Sequence, residues 1–129
     1  MLDTNVLISM LFFPSDIFFR MKIILETHTL VLSSFVIEEL FLITEKKFPS
    51  KKDAVDLFLS RLSYELVYTP HKMRPDMFRI RDVNDYPVLY TAVIENIDVL
   101  ITGDKDFIDV AVEKPLVLTP RDFLERYGK

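Results

Sequence analysis

Apolar and polar positions alternate along this chain between two kinds of segment. Thr29-Leu30-Val31-Leu32, Glu65-Leu66-Val67-Tyr68, Val99-Leu100-Ile101 and Leu116-Val117-Leu118 are short apolar runs bounded by polar residues, and each predicts a buried strand. The longer stretches between them predict helices. Residues 5–27 read as helix with a break at Phe13-Pro14-Ser15, where proline interrupts the ladder and Ser15-Asp16 restarts it. A helix over 34–47 has Ser33 or Ser34 as its cap. Another spans about 50–62, opened by Ser50 with Asp53 in a capping-box position. Residues 70–81 hold two prolines and several basic side chains and predict an irregular connection. Asp85 then caps a helix with Pro87 in its first turn, running to about Asn96. Thr102-Gly103-Asp104 turns into a short helix, and the last helix has Thr119 as N-cap, Pro120 at its first position and Gly128 at its end.

Strands alternating with helices imply right-handed crossovers and a parallel sheet covered on both faces, hence an α/β fold. Chain order places the opening Met1-Leu2-Asp3 as the first, central strand. The sequence holds no internal repeat, low-complexity stretch or linker, and 129 residues are expected to form a single domain, 1–129.

Composition narrows the class. Half the residues are apolar, including eleven Phe, which excludes disorder. No apolar run approaches the ~20 residues that span a bilayer, and the start lacks the basic region and cleavage site of a signal peptide. There is no cysteine, hence no disulfide frame or zinc–thiolate site. The expectation is a cytoplasmic protein without a membrane partner. A net charge of −4 argues mildly against a high-affinity RNA-binding module. It leaves room for an enzyme whose carboxylates surround a cation.

Candidate chemistry lies in the acids. Asp3, Glu39, Asp85 and Asp104 are distant in sequence, yet each falls at a predicted strand end or helix start. In an open α/β sheet, that edge is where ligands bind. Asp3 and Asp85 each have a second reading as simple N-caps. At about 100° per residue, Glu39 falls between Phe35, Leu42 and Ile43, whereas Glu38 turns to the solvated face beside Glu45. A glutamate beside an apolar face needs a partner, and Lys46 is the alternative to a metal. Asp85 shares a face with Val88, Leu89 and Ala92. One of only two glycines, Gly103, precedes Asp104 and would permit a tight turn. Thr4 and Asn5 could orient a ligating carboxylate, and Thr102 could support a water or a phosphate oxygen. Asp82 and Asp106 are possible extra ligands, with a loop acid and a first-turn helix acid as their plainer roles. Oxygen-only ligands select Mg²⁺ or Mn²⁺. His28 and His71 fall elsewhere, so zinc and histidine acid–base chemistry are not expected.

The chain resembles the PIN-domain nucleases, particularly the VapC-like toxin components of toxin–antitoxin pairs. The resemblance is carried by Leu2-Asp3-Thr4-Asn5-Val6-Leu7-Ile8-Ser9, Glu39-Leu40, Asp82-Val83-Asn84-Asp85, Leu100-Ile101-Thr102-Gly103-Asp104-Lys105-Asp106-Phe107 and Leu118-Thr119-Pro120-Arg121-Asp122-Phe123-Leu124. It implies a three-layer α/β/α sandwich with a parallel sheet of four to five strands. It implies that Asp3, Glu39, Asp85 and Asp104 are the metal-binding and catalytic acids. Single-stranded RNA as substrate, a homodimer and a cognate antitoxin covering the site are further implications. The chemistry would be metal-assisted phosphodiester hydrolysis, leaving a 5′-phosphate and a 3′-hydroxyl. One departure is that only Met1 and Leu2 precede the first acid, so the first strand would be very short.

Two rivals remain at this level. A receiver-type phosphoacceptor domain shares the architecture, and Lys114-Pro115 near the last strand is compatible with it. However, Glu65-Leu66-Val67-Tyr68-Thr69-Pro70 supplies no aspartate at the end of the middle strand. A PIN scaffold that binds RNA or protein without cutting is the other. Lys46, Lys47, Lys51 and Lys52, or Lys72, Arg74, Arg79 and Arg81, could guide an RNA backbone or form a solvated face. Phe12, Phe13, Phe18 and Phe19 either form a partner surface or fill the core.

Overall fold

A computed structural model describes residues 1–128. The chain alternates helices α1 (Thr4–Phe12), α2 (Asp16–Leu25), α3 (Ser34–Lys47), α4 (Lys52–Arg61), α5 (Tyr86–Ile94), α6 (Lys105–Ile108) and α7 (Pro120–Tyr127) with strands β1 (Val31–Ser33), β2 (Glu65–Val67), β3 (Val99–Ile101) and β4 (Leu116–Leu118).

All strand pairing is parallel among the described residues. β1 pairs with β2, with Leu32 opposite Leu66, and β3 pairs with β4, with Leu100 opposite Val117. The opening residues add a stunted third strand to the second ladder. Leu2 bridges Ile101, Ile101 N–H donates to Met1 O at 2.9 Å, and Asp3 N–H donates to Ile101 O at 3.1 Å. β3 therefore lies between β4 and the opening residues, and Asp3 leaves the ladder at the carboxyl end of β3. Three-residue strands give few ladder bonds, so burial must hold them. Leu2, Leu32, Leu100 and Ile101 are all buried, enclosed with Leu7, Val36, Leu40, Leu89 and Phe107 from the surrounding helices. α1 packs on α3, α3 on α4 and α5, and α2 on α7.

Capping follows the local sequence at three helix starts. Ser15, Ser33 and Thr119 each accept the N–H of the residue three further on. Two expected starts differ. Ser50 lies inside a 3₁₀ turn, Pro49–Lys51, so it cannot take the extended backbone that a capping residue needs, and α4 begins without a side-chain cap. Asp85 is likewise not a side-chain cap. It closes a 3₁₀ turn, Val83–Asp85, whose cap is Asp82, accepting from Asn84 N–H at 2.9 Å. α5 ends at Ile94, two residues before the expected Asn96, and Asn96 turns the chain with φ 56°.

Candidate metal centre

Four elements deliver acids to the carboxyl ends of the strands. Asp3 follows the Leu2 bridge and stands at the start of α1, but its side chain makes no cap bond. Instead its Oδ2 accepts from Thr102 Oγ1 at 2.7 Å. Thr102 is fully buried and also accepts the Asp104 N–H at 3.0 Å, so one hydroxyl ties the opening strand to the β3–α6 turn. Thr102 thus engages the protein's own carboxylate and backbone. Glu39, in the second turn of α3, accepts from Thr4 Oγ1. No Lys46–Glu39 ion pair is found among the described residues. The buried face of α3 is Val36, Leu40 and Thr44, whereas Leu42 is exposed. Glu39 is therefore half-buried at the border of the apolar face, with Phe35 and Ile43 also half-buried, and only Leu42 departs from the expected apolar surroundings. Glu38 is exposed.

Asp85, Asp104 and Asp106 each present an oxygen within 4.8 Å of the others. Asp104 caps α6, its Oδ1 accepting from Asp106 N–H at 2.9 Å. Asp106 also lies 4.0 Å from Arg81 Nη1. Asp82 is exposed and occupied in capping, and Asn5 is exposed on the first turn of α1. Of the two residues Thr4 and Asn5, it is Thr4 whose side chain holds an acid. The signal for Asp106 was its position two residues after Asp104 on a helix start, which lets both carboxylates face one hollow.

The electrostatics record the crowding. Burial pushes the Asp3 carboxyl above its ordinary range, against the hydrogen bonds from Thr102 and Thr4, and the charges of Glu39 and Asp104 add to the rise. Asp85 is pushed up to about 7, first by burial, then by its neighbour Asp104, with Asp82 and Asp3 adding to it. Asp85 Oδ2 is buried and has no hydrogen-bond partner. A buried carboxylate oxygen without a donor costs more than an ordinary hydrogen bond returns. The donor set around it is oxygen only, and that chemistry fits a hard divalent cation.

Gly103 takes no left-handed conformation, and a Cβ there would meet nothing within 4 Å. The turn does not require glycine for its backbone, contrary to the expectation from sequence. The missing side chain leaves open space beside Asp104 instead. The histidines stay outside the acid cluster. His28 lies between Phe123 and Tyr127, and His71 is exposed. A cavity of about 590 Å³ at the opposite, starting ends of β1 and β3 is lined by residues such as Leu30, Val99 and Phe123 and holds none of the clustered acids. Lys114 belongs to that far end as well, paired with Asp98 at 2.9 Å. It therefore does not meet the acids as a receiver-type lysine would.

No helix among the described residues is long and apolar enough to cross a membrane. Comparison with curated proteins returns no match. Comparison with protein families matches residues 1–113 to the family described as PIN domain.

Proposed function

The chain belongs to the PIN-domain family, and from that premise we propose that it is an Mg²⁺- or Mn²⁺-dependent endoribonuclease that hydrolyses single-stranded RNA. One observation carries the reading: Asp85 Oδ2 is enclosed without a partner beside Asp104 and Asp106. Asp85 and Asp104, joined by Asp106, would hold the cation from the α5 and α6 side. Asp3 and Glu39 would complete the acidic set from the α1 and α3 side. When bound, the cation supplies positive charge against the phosphate and lowers the pKa of a nearby water.

The protein's own contribution is orientation and proton control. Thr102 fixes Asp3, so that carboxylate does not have to be ordered when substrate arrives. Thr4 engages Oε1 of Glu39 and leaves Oε2 available to ligate. Asp85 carries its proton up to about pH 7 without a cation, and loading would expel it.

We read the whole chain as one PIN domain, a three-layer α/β/α sandwich in which the two ladders contribute to a parallel sheet of four to five strands. We assign it the role of toxin in a toxin–antitoxin pair, acting in the cytoplasm as a homodimer and restrained by an antitoxin over the acids. Phe13 and Phe19 are exposed beside half-buried Phe12 and Phe18, and this supports a partner surface on α1 and α2.

The test is cleavage of single-stranded RNA in Mn²⁺, with and without EDTA. Asp3→Asn and Asp104→Asn are each expected to lower cleavage by at least about a hundredfold, beyond what loss of a supporting residue alone does. Undiminished cleavage in both variants overturns the site. Induced expression is expected to arrest growth, and Asp104→Asn to relieve it.

A further inference from the structure

We propose that the open cavity between the 73–80 connection and the start of α5 is a nucleobase subsite, holding one base of single-stranded RNA beside the phosphodiester presented to the acids. The proposal rests on the ribonuclease reading and adds where the substrate's base goes.

Position is the first argument. The cavity, about 570 Å³, is lined by Met73, Phe78, Arg79, Val83, Tyr86 and Pro87 among others. That volume lies within the range of small-ligand sites. Val83 on one side of Asp85 and Tyr86 and Pro87 on the other all face it. The 3₁₀ turn that carries Asp85 is therefore shared between the cavity and the acidic hollow.

The second argument is that the cavity is preformed. Tyr86 stacks on Phe78 with ring centroids 4.5 Å apart and lies 5.7 Å from Tyr90. The Tyr86 hydroxyl donates to Arg74 O and accepts from Met77 N–H at 3.3 Å. Arg74 N–H donates to the Tyr90 hydroxyl at 3.2 Å. Two tyrosines of α5 thus clamp an otherwise irregular connection, so its apolar wall needs no reordering on binding.

Charge identifies the occupant. Residues 70–81 carry Lys72, Arg74, Arg79 and Arg81 against only Asp76, in a chain of net charge −4. Arg81 reaches to 4.0 Å from Asp106. This basic band borders the acids and suits a polyanion approaching from this side. An apolar floor with a guanidinium at its rim matches a flat base, which stacks on apolar and cationic groups alike. An apolar side chain of a protein partner would fill the floor but leave the guanidinium groups without a role. A base can enter only when it is out of a duplex stack, which selects single strands.

The experiment measures binding apart from cleavage. A fluorescein-labelled single-stranded RNA hexamer and an abasic ribose-phosphate hexamer of equal charge are titrated in Mn²⁺ into the full chain carrying Asp3→Asn and Asp104→Asn. The base-bearing hexamer is expected to bind at least about tenfold more tightly. Adding Val83→Asp or Arg79→Ala, both at exposed positions that folding should tolerate, is expected to bring the ratio near one. Equal affinity for the two hexamers overturns the subsite. A preference that neither substitution alters also overturns it, since the base would then bind elsewhere. The ribonuclease reading fails separately, if the unaltered protein in Mn²⁺ hydrolyses neither RNA nor bis(p-nitrophenyl) phosphate.

Discussion

Thr102 is fully buried, and its hydroxyl serves Asp3 and the Asp104 amide at once. Thr102→Val keeps the shape but leaves a buried carboxylate oxygen and a backbone N–H without that partner. We expect Mn²⁺ affinity, measured by titration calorimetry, to fall about 10–100-fold, while Thr102→Ser keeps most of it. An unchanged affinity in Thr102→Val would remove this hydroxyl from the site. The sequence marked Thr102 by its place after β3 but could not say what it touches. Its partner Asp3 is 99 residues away, and no spacing rule connects them. Asp85 has a similar history. As a residue before a helix it reads as a cap, and only the position of Asp82 in space takes that task from it.

Among the elements, α7 shows how closely local signals set boundaries. Thr119 caps it through Asp122 N–H at 3.1 Å, Pro120 occupies its first turn, and Gly128 follows its end. The helix buries Phe123 and Leu124 and packs against α2, and it starts next to Leu118, whose carbonyl accepts the Thr102 N–H at 2.9 Å. Thr119→Ala should therefore cost about 1 kcal/mol of stability, seen as a lower urea midpoint. An unchanged midpoint would mean that this cap bond does not hold the start of α7. α4 shows the limit of the same signals. Ser50 and Asp53 have the spacing of a capping box, but Pro49 draws Ser50 into a 3₁₀ turn and the box does not form.

At the scale of the whole molecule, the fold concentrates charge that it would otherwise disperse. Asp3 and Asp85 are both held above their ordinary values, Asp85 at about 7, whereas in the unfolded chain such carboxyls ionise near pH ~4. Between about pH 4 and 7 the folded state therefore binds more protons than the unfolded one, and stability without a cation falls as pH rises through that window. A cation that takes the place of those protons should reverse the trend. The thermal midpoint in EDTA is expected to fall between about pH 5 and pH 8, and Mn²⁺ to raise it more at pH 8 than at pH 5. An Mn²⁺ effect of equal size at both pH values would separate the acids from metal binding.

By itself, the sequence determined the alternation of helices and strands, the places of four strands, and most helix starts, because these depend on neighbours within a few residues. It also marked Asp85, Asp104 and Asp106, since each stands where a strand ends or a helix begins. Tertiary structure alone decided which carboxylates meet: Asp106 joins Asp85 and Asp104, Asp82 turns away to cap, and Thr4 and Thr102 hold Glu39 and Asp3. Those choices depend on angles between packed elements, which are set by how Leu2, Leu40, Leu89 and Leu100 fill one core, and a one-dimensional pattern carries no such angles.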